Sequence, residues 1–327
     1  MSSSFLRPAA RALTLLLSLG VASAALAADP VTIRVGFATG SVGPHAAGAN
    51  AFKEELERLA PGRFNVEMFP GGSLGGEREM AEGVQLGSLE MAITGTAVLG
   101  NFVPEMMVVD IPFLFRDYDH ARAVMDGPIG DELIAKMGER GFVGLAFGEV
   151  GFRHLTNSRR PSESVDDLQG LKIRTMENSI HLAAFRALGA QPTPMAWTEV
   201  LTALQQGTID GQENPLSIIV STQLWETQKY LTLSNHVYTP VAFYVSPGLF
   251  NSLTAEEQEI LTKAAHAGRD ANRAYIDESE RAGLDIVREH GMEVSRIDPA
   301  EFQERLEPLY VEMRARFGDL IDEIQAQ

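Results

Sequence analysis

The sequence contains no cysteine among its 327 residues and has only two tryptophans. Without cysteine the chain can form no disulfide, no thiolate metal site and no thiol nucleophile, and it cannot carry a lipid on an N-terminal cysteine. The fold must therefore be stabilised by its hydrophobic core alone. A chain of this length is long enough to bury most of its apolar surface and to form two domains.

Positive charge is also scarce, because 27 Lys and Arg residues face 44 Asp and Glu residues, for a formal net charge of −17. A chain this acidic is not expected to bind nucleic acid or an anionic membrane surface. An anionic ligand would have to be held by a local arrangement of arginines, against the overall field of the protein. The positions of individual arginines are therefore informative.

Motifs for catalysis and metal binding are missing. The seven histidines are scattered, and no pair lies three or four residues apart next to a carboxylate. The sequence has no Gly-x-Ser-x-Gly elbow, and the glycine-rich segment 70–76 lacks the Gly-Lys-Ser/Thr that completes a phosphate loop. We expect a binding protein rather than an enzyme, with no metal and no cofactor.

The N-terminus has the features of a cleavable signal peptide. Arg7 and Arg11 precede an apolar segment at 13–22, and Ala25-Leu-Ala27 matches the small-x-small pattern of a cleavage site. The apolar segment is too short to span a bilayer. We predict a signal peptide at residues 1–27 and a secreted mature protein.

Strand and helix patterns alternate along most of the chain, which predicts an α/β fold with mainly parallel crossovers. The longest helical pattern runs from Thr254 to about His290, with Thr254 and Glu257 forming a capping box. A helix of this length covers roughly 55 Å, which exceeds the width of one small domain. We therefore expect this helix to span two domains that extended strands connect.

Several motifs occur in a characteristic order along the chain: Gly-Gly-Ser-Leu-Gly-Gly-Glu-Arg-Glu at 71–79, Asp-Ile-Pro-Phe-Leu-Phe at 110–115, Gly-Leu-Lys-Ile-Arg at 170–174, Pro-Thr-Pro-Met at 192–195 and Asp-Gly-Gln-Glu-Asn at 210–214. With these motifs the sequence resembles the solute-binding proteins of tripartite ATP-independent periplasmic (TRAP) transporters, the dicarboxylate-binding (DctP-type) family. The resemblance covers essentially the whole chain after residue 27. It implies a two-lobed periplasmic binding protein, type II-like, with a ligand cleft between the lobes. We place lobe I at 28–150 plus about 240–279, and lobe II at about 151–239 plus 280–327.

The resemblance also implies three polar ligand contacts. The arginine of the Lys-Ile-Arg motif, here Arg174, is implied to hold the ligand carboxylate in a two-pronged salt bridge. The spacing of Lys172 and Arg174, taken alone, also fits two charges on a solvated edge strand. Arg153 matches an arginine that assists it, or it pairs with a surface acid. Asn214 matches an amide that bonds the carboxylate or a neighbouring hydroxyl.

Four further residues are candidate contacts. Trp197 matches an aromatic position near the ligand, or belongs to the core. Glu77 either favours a helix start through the helix dipole or faces the cleft and selects an acid with several hydroxyls. Asn178 follows Arg174 in a segment similar to that of members that bind hydroxylated sugar acids. His45 either donates to a ligand hydroxyl or is a loop histidine.

The function implied by the resemblance is a monomeric periplasmic receptor. It captures a small organic acid, foremost a sugar acid such as a uronate, and delivers it to integral-membrane TRAP subunits. One alternative is a receptor for a four-carbon dicarboxylate or a 2-oxo acid. Others are an ABC-type receptor of similar architecture and a periplasmic enzyme acting on sugar acids, with Glu77 and His45 as base and acid.

Overall fold

The structure, a computed structural model, describes residues 1 and 29–327, so all of the predicted signal peptide except Met1 lies outside the described residues. The described chain forms two β-sheets surrounded by helices. The strands are β1 (Val31–Gly36), β2 (Phe64–Phe69), β3 (Met91–Gly95), β4 (Val143–Phe152), β5 (His154–Asn157), β6 (Lys172–Thr175), β7 (Gln191–Pro194), β8 (Gly211–Asn214), β9 (Tyr230–Leu233), β10 (Tyr238–Val245) and β11 (Glu293–Arg296). The α-helices are α1 (Pro44–Leu59), α2 (Glu77–Leu86), α3 (Thr96–Leu99), α4 (Tyr118–Met125), α5 (Pro128–Glu139), α6 (Ser179–Ala187), α7 (Trp197–Gln205), α8 (Leu216–Ser221), α9 (Pro247–Ser252), α10 (Ala255–Glu289), α11 (Pro299–Phe317) and α12 (Asp319–Ala326).

The sheet of lobe I has five strands in the order β2-β1-β3-β10-β4. β1 is parallel to β2 and β3, as the alternation of strands and helices predicts, but β10 is antiparallel to β3 and β4. The prediction of mainly parallel pairing is wrong for β10. This strand returns from the other sheet and therefore enters from the opposite end.

The sheet of lobe II has six strands in the order β11-β9-β5-β8-β6-β7. β6 is parallel to β7 and β8, and β9 is parallel to β11, whereas β5 is antiparallel to β8 and β9. The strand that carries Arg174, β6, is therefore an inner strand. The edge-strand interpretation of this segment is wrong.

Three segments connect the sheets. The chain crosses at Arg153, between β4 and β5, and returns at Val237, just before β10, and the Arg153 N–H donates to the Val237 carbonyl at 2.8 Å. The third connection is α10, whose 35 residues begin after the capping box of Thr254 and Glu257 that the sequence predicts. Its N-terminal part packs on α1 and β4, and its C-terminal part packs on α8 in lobe II. The long helix therefore spans both lobes, and we propose the predicted lobe boundaries on this basis.

The two sheets are covered by helices and buried side chains on their faces, so the strand ends that face the other lobe are held in rigid positions. None of the helices in the described residues combines the length and the apolar character needed to cross a membrane.

The helices α1 and α10 cross closely at two glycines, and a stability prediction follows. A Cβ on Gly268 would lie 2.8 Å from the carbonyl oxygen of Gly48 and 2.9 Å from Cε1 of Phe243. We expect Gly268→Ala to lower the free energy of unfolding by about 1–3 kcal/mol, because the crossing has no room for a methyl group. Gly138→Ala in α5 is the matched control: its Cβ meets nothing within 4 Å, so the variant should gain about 0.5–1 kcal/mol. Urea unfolding measures both, and equal effects of the two variants would show that the close crossing is not needed.

Candidate functional site

A small cavity of about 30 Å³ lies between the lobes. Both lobes contribute to its lining: Ala38, Thr39, His45, Glu77, Gly95 and Val150 from lobe I, and Arg153, Arg174, Met176, Trp197, Asn214 and Ile218 from lobe II. Six of the seven residues predicted from the sequence are among them. A larger cavity of about 310 Å³ lies beside the C-terminal helices, but its arginine, Arg314, is exposed and paired with Asp322. The interlobe cavity is the candidate site because its arginines are buried.

Arg174 is 2% exposed, and its Nε and Nη2 donate to the Met195 carbonyl at 2.9 and 2.7 Å. Its guanidinium lies 5.7 Å from the centroid of the Trp197 ring. Within the described part of the chain, no carboxylate lies within ion-pair distance of it. Burial lowers the pKa of Arg174 to about 10, an effect that the Glu213 carboxylate opposes, so the group is charged at neutral pH. A buried cation of this kind is costly unless an anion joins it.

The hydrogen bonds of Arg174 determine how it can grip a ligand. Because Nε and one N–H of Nη2 are used by Met195, the remaining donors are Nη1 and the second N–H of Nη2. These two donors form the end-on fork of the guanidinium, which matches the two oxygens of a carboxylate. The geometry therefore fits a two-pronged salt bridge.

Arg153, in contrast, already has a partner. It is 1% exposed, and its Nη2 donates to Oε1 of Glu213 at 2.9 Å while its Nε donates to the other carboxylate oxygen. Glu213 is fully buried. The alternative prediction, in which Arg153 pairs with an acid on the protein surface, is therefore wrong about where the acid lies. Burial raises the pKa of Glu213, but Arg153 and His236 outweigh this and hold that pKa below its usual value. The charge of Arg153 is thus compensated by the protein itself.

The glycine-rich loop before α2 places Glu77 in the cavity. Gly71, Gly72 and Gly75 have φ angles of 70°, 67° and 107°, which favour glycine. A Cβ on Gly72 would also lie 2.3 Å from Cγ2 of Thr198 in lobe II. The loop can therefore approach lobe II only without side chains at this point.

Glu77 begins α2, as the sequence predicts, and it also lines the cavity. Its Oε1 accepts a hydrogen bond from the Gly95 N–H at 2.7 Å. Burial raises the pKa of Glu77 above the usual 4.5, although the Gly95 N–H, Arg174 and Arg153 act in the opposite direction.

Two polar groups in the cavity wall lack partners. His45 lies in the first turn of α1 rather than in a loop, is 4% exposed and stacks on Phe37. Burial lowers its pKa to about 4, so its ring is neutral at pH 7. Its Nδ1 and the Oγ1 of Thr39 have no hydrogen-bond partner among the described residues. Such orphaned groups indicate a polar ligand or water in the cavity.

Trp197 and Asn214 have mixed roles. Trp197 packs against three hydrophobic clusters and also forms part of the cavity wall next to Arg174, so it serves both core and site. In Asn214, Oδ1 accepts from Arg153 at 3.2 Å and Nδ2 donates to Oε1 of Gln212. One N–H of Asn214 remains for a ligand.

The seventh predicted residue, Asn178, does not line the cavity. Its Oδ1 accepts from the N–H groups of Ile180 and His181 as the N-cap of α6, and its Nδ2 donates to the Ala97 carbonyl and to Asp110. These bonds use the whole hydrogen-bonding capacity of the amide, so a role in reading a ligand hydroxyl does not fit. Asn directly before a helical segment is a strong capping signal, which would have predicted this role.

Sequence reasoning missed two residues: Thr39, which lines the cavity, and Glu213, which pairs with the cavity residue Arg153. Thr39 follows the C-terminal end of β1, where α/β sheets commonly bind ligands. Glu213 lies within the Asp-Gly-Gln-Glu-Asn motif, but only the fold shows that it is the buried partner of Arg153. No group of three or more His, Asp or Glu residues in the described chain is arranged to hold a metal ion.

A two-lobed α/β fold whose interlobe cavity holds a buried arginine without an ion-pair partner among residues 29–327 defines a binding protein for small anionic solutes. The family model of bacterial extracellular solute-binding proteins, family 7, matches residues 37–316, and the chain belongs to this family. Its members are binding proteins that hold small carboxylates and work with TRAP membrane subunits.

Three relatives show how similar the chain is to known members. A solute-binding protein of Verminephrobacter eiseniae is 45% identical over 90% of this chain and 88% of its own length. A solved TRAP solute-binding protein from Bordetella bronchiseptica is 48% identical with a TM-score of 0.88, covers 90% of this chain and 98% of its own, and contains density assigned to pantoate. One from a Polaromonas species, bound to D-erythronate, is 43% identical with a TM-score of 0.89 and the same coverage.

Proposed function

We propose that this protein is a monomeric periplasmic receptor for a hydroxylated monocarboxylate of the sugar-acid type, which it delivers to the integral-membrane subunits of a TRAP transporter. The observation that carries the proposal is Arg174, a buried cation in the interlobe cavity without an ion-pair partner in the described chain. A ligand carboxylate would supply that partner, and lobe closure would then bury a neutral pair rather than a lone charge.

The charges in the cavity favour one carboxylate over two. Arg153 is neutralised by Glu213, so Arg174 is the cation left for a ligand among the lining residues. The second carboxylate of a four-carbon dicarboxylate would have to share the cavity with Glu77, and like charges at short range repel. This argues against the dicarboxylate alternative.

The uncharged polar groups favour hydroxyls. His45 Nδ1, Thr39 Oγ1 and one N–H of Asn214 are available in the described cavity, and Glu77 can accept from or donate to a hydroxyl. A 2-oxo acid such as pyruvate would leave most of them unsatisfied, which costs free energy. The ligands found in the two solved relatives, D-erythronate and pantoate, are both hydroxylated monocarboxylates.

The location and the absence of catalysis are part of the same proposal. The predicted signal peptide at 1–27 supports a periplasmic location. Glu77 bonds the Gly95 N–H rather than His45, and no hydrogen bond joins the two in the described chain, so they do not form an acid–base pair. We therefore expect a bound sugar acid to be recovered unchanged.

Calorimetric titration of the purified protein with D-erythronate, succinate and pyruvate tests the proposal. We expect tight binding of D-erythronate at one site per chain and weak binding of the other two. NMR of the recovered ligand should show no new product. Tight binding of succinate or pyruvate alone would contradict the sugar-acid class, and conversion of the ligand would contradict the receptor.

Glu77 makes the affinity depend on pH in a predictable direction. A ligand anion bound close to Glu77 raises the pKa of this group further, so the complex takes up a proton more readily than the empty protein does. By linkage, affinity for D-erythronate should rise as the pH is lowered into the range where Glu77 takes up its proton, by at most about tenfold per pH unit. Glu77→Gln should remove this dependence, whereas Glu79→Gln, at an exposed site in the same helix turn, should keep it. Titrations at several pH values measure the slopes, and parallel slopes for the parent and Glu77→Gln would rule this role out.

A further inference from the structure

Met176 closes the cavity on the side of Glu77. It follows directly after β6, is 6% exposed and lines the cavity together with Arg174. A Cβ built on Gly95 would lie 3.1 Å from Cε of Met176 and 3.5 Å from Oε1 of Glu77. The methyl group of Met176 and the carboxylate of Glu77 therefore border the same space next to Gly95.

The position of this side chain is well held. It packs against Ala97 and Val98 of α3, in a small hydrophobic cluster separate from the three large ones. The Met176 carbonyl accepts a hydrogen bond from the Asn178 N–H at 2.8 Å, and the Asn178 side chain fixes the following helix to lobe I. Met176 is thus anchored in lobe II and packed against lobe I, so it has little freedom to move aside when a ligand binds.

We propose that Met176 is a specificity-determining residue that limits the ligand to acids with a four-carbon main chain and excludes six-carbon uronates. The inference rests on the proposed function, because it takes the carboxylate to lie at Arg174 and the chain to extend toward Glu77. At the end of the cavity a longer acid would place its additional hydroxyls against an apolar methyl group. Those hydroxyls would lose their water without gaining hydrogen bonds.

A substitution at Gly95 can partly reverse the enlargement of the cavity that shortening Met176 would cause. A methyl group at this position would enter the same space from lobe I, because its nearest neighbours are Met176 and Glu77. The backbone of Gly95 has φ −63°, which alanine adopts without strain. Met176→Ala therefore enlarges the cavity end, and Gly95→Ala added to it partly fills the space again.

Titration calorimetry with D-erythronate and D-galacturonate on the full mature chain tests the inference. The parent should bind D-erythronate at least about tenfold more tightly than D-galacturonate. Met176→Ala should shift this ratio by about tenfold or more toward D-galacturonate. Adding Gly95→Ala should move the ratio back toward the parent value. Thermal unfolding checks that each variant is folded, and Met176→Val, which shortens the side chain but stays apolar, replaces Met176→Ala if that variant does not fold.

The outcomes separate this inference from the proposed function. An unchanged ratio in a folded Met176 variant, or a parent that binds both acids equally, overturns the length limit while the sugar-acid receptor stands. A parent that binds neither acid overturns the sugar-acid ligand itself, and the length limit with it.

Discussion

Arg174→Ala is expected to weaken D-erythronate binding by about 2–5 kcal/mol, which is roughly 30- to 5,000-fold in Kd. The variant leaves the ligand carboxylate buried in a cavity whose other arginine, Arg153, is occupied by Glu213. Arg174→Lys should fall in between, because an ammonium keeps the charge but loses the planar fork that meets both carboxylate oxygens. Titration calorimetry measures the three affinities.

The control for this experiment is Arg305→Ala. Arg305 is exposed, pairs with Asp166 on the surface and does not line the interlobe cavity. The Arg305→Ala substitution removes an arginine side chain outside the site, so the affinity for D-erythronate should be unchanged. An Arg174→Ala protein that binds as tightly as the parent would show that the carboxylate lies elsewhere, and the proposed receptor mechanism would have to be abandoned.

The second large effect is expected on stability. Arg153→Ala leaves Glu213 fully buried without its cation, and we expect the free energy of unfolding at pH 7 to fall by about 3–5 kcal/mol. Combining it with Glu213→Leu removes the uncompensated charge and should restore a large part of that loss. Arg58→Ala breaks an exposed ion pair with Glu55 and should cost less than about 1 kcal/mol. Urea unfolding of the four proteins measures these effects.

The effect of Arg153→Ala should also depend on pH. In the parent, the pKa of Glu213 is below its usual value, so the pair stabilises the fold above about pH 4.5 and this contribution is lost as the pH falls further. Without Arg153 the burial of Glu213 is opposed chiefly by His236, so the pKa of Glu213 is higher than in the parent and the variant loses less stability as the pH falls. The difference between the two proteins should therefore shrink from pH 7 toward pH 4. A difference that stays constant over this range would mean that Glu213 is not the source of the destabilisation.

Much of the architecture could be predicted because it depends on local patterns. Hydrophobic periodicity predicts the alternation of strands and helices, and the capping box predicts the start of α10. Strand direction is a different matter. β10 is antiparallel to both neighbours because the chain has already crossed to the other sheet and returned, and no local signal records that path.

Six of the seven predicted site residues line one cavity, but their partners could not be predicted. Arg153 and Arg174 look alike as sequence signals, yet one has a buried carboxylate partner and the other has none in the described chain. The difference arises from β8, which lies next to both β5 and β6 and places Glu213 beside Arg153. For Asn178, the capping role could have been predicted from the local sequence, whereas its hydrogen bonds to Ala97 and Asp110 could not, because those residues are far away in the chain.

By itself, the sequence determined the chemistry available to this protein. It established a cysteine-free, acidic α/β chain with one long helix and a few arginines in short motifs, because composition, periodicity and capping are local properties. Only the tertiary structure decided which charges cancel and which remain for a ligand. The free energy of a buried charge depends on the atoms within a few ångströms of it, and residues far apart in the chain, such as Arg153 and Glu213, come that close only in the folded protein.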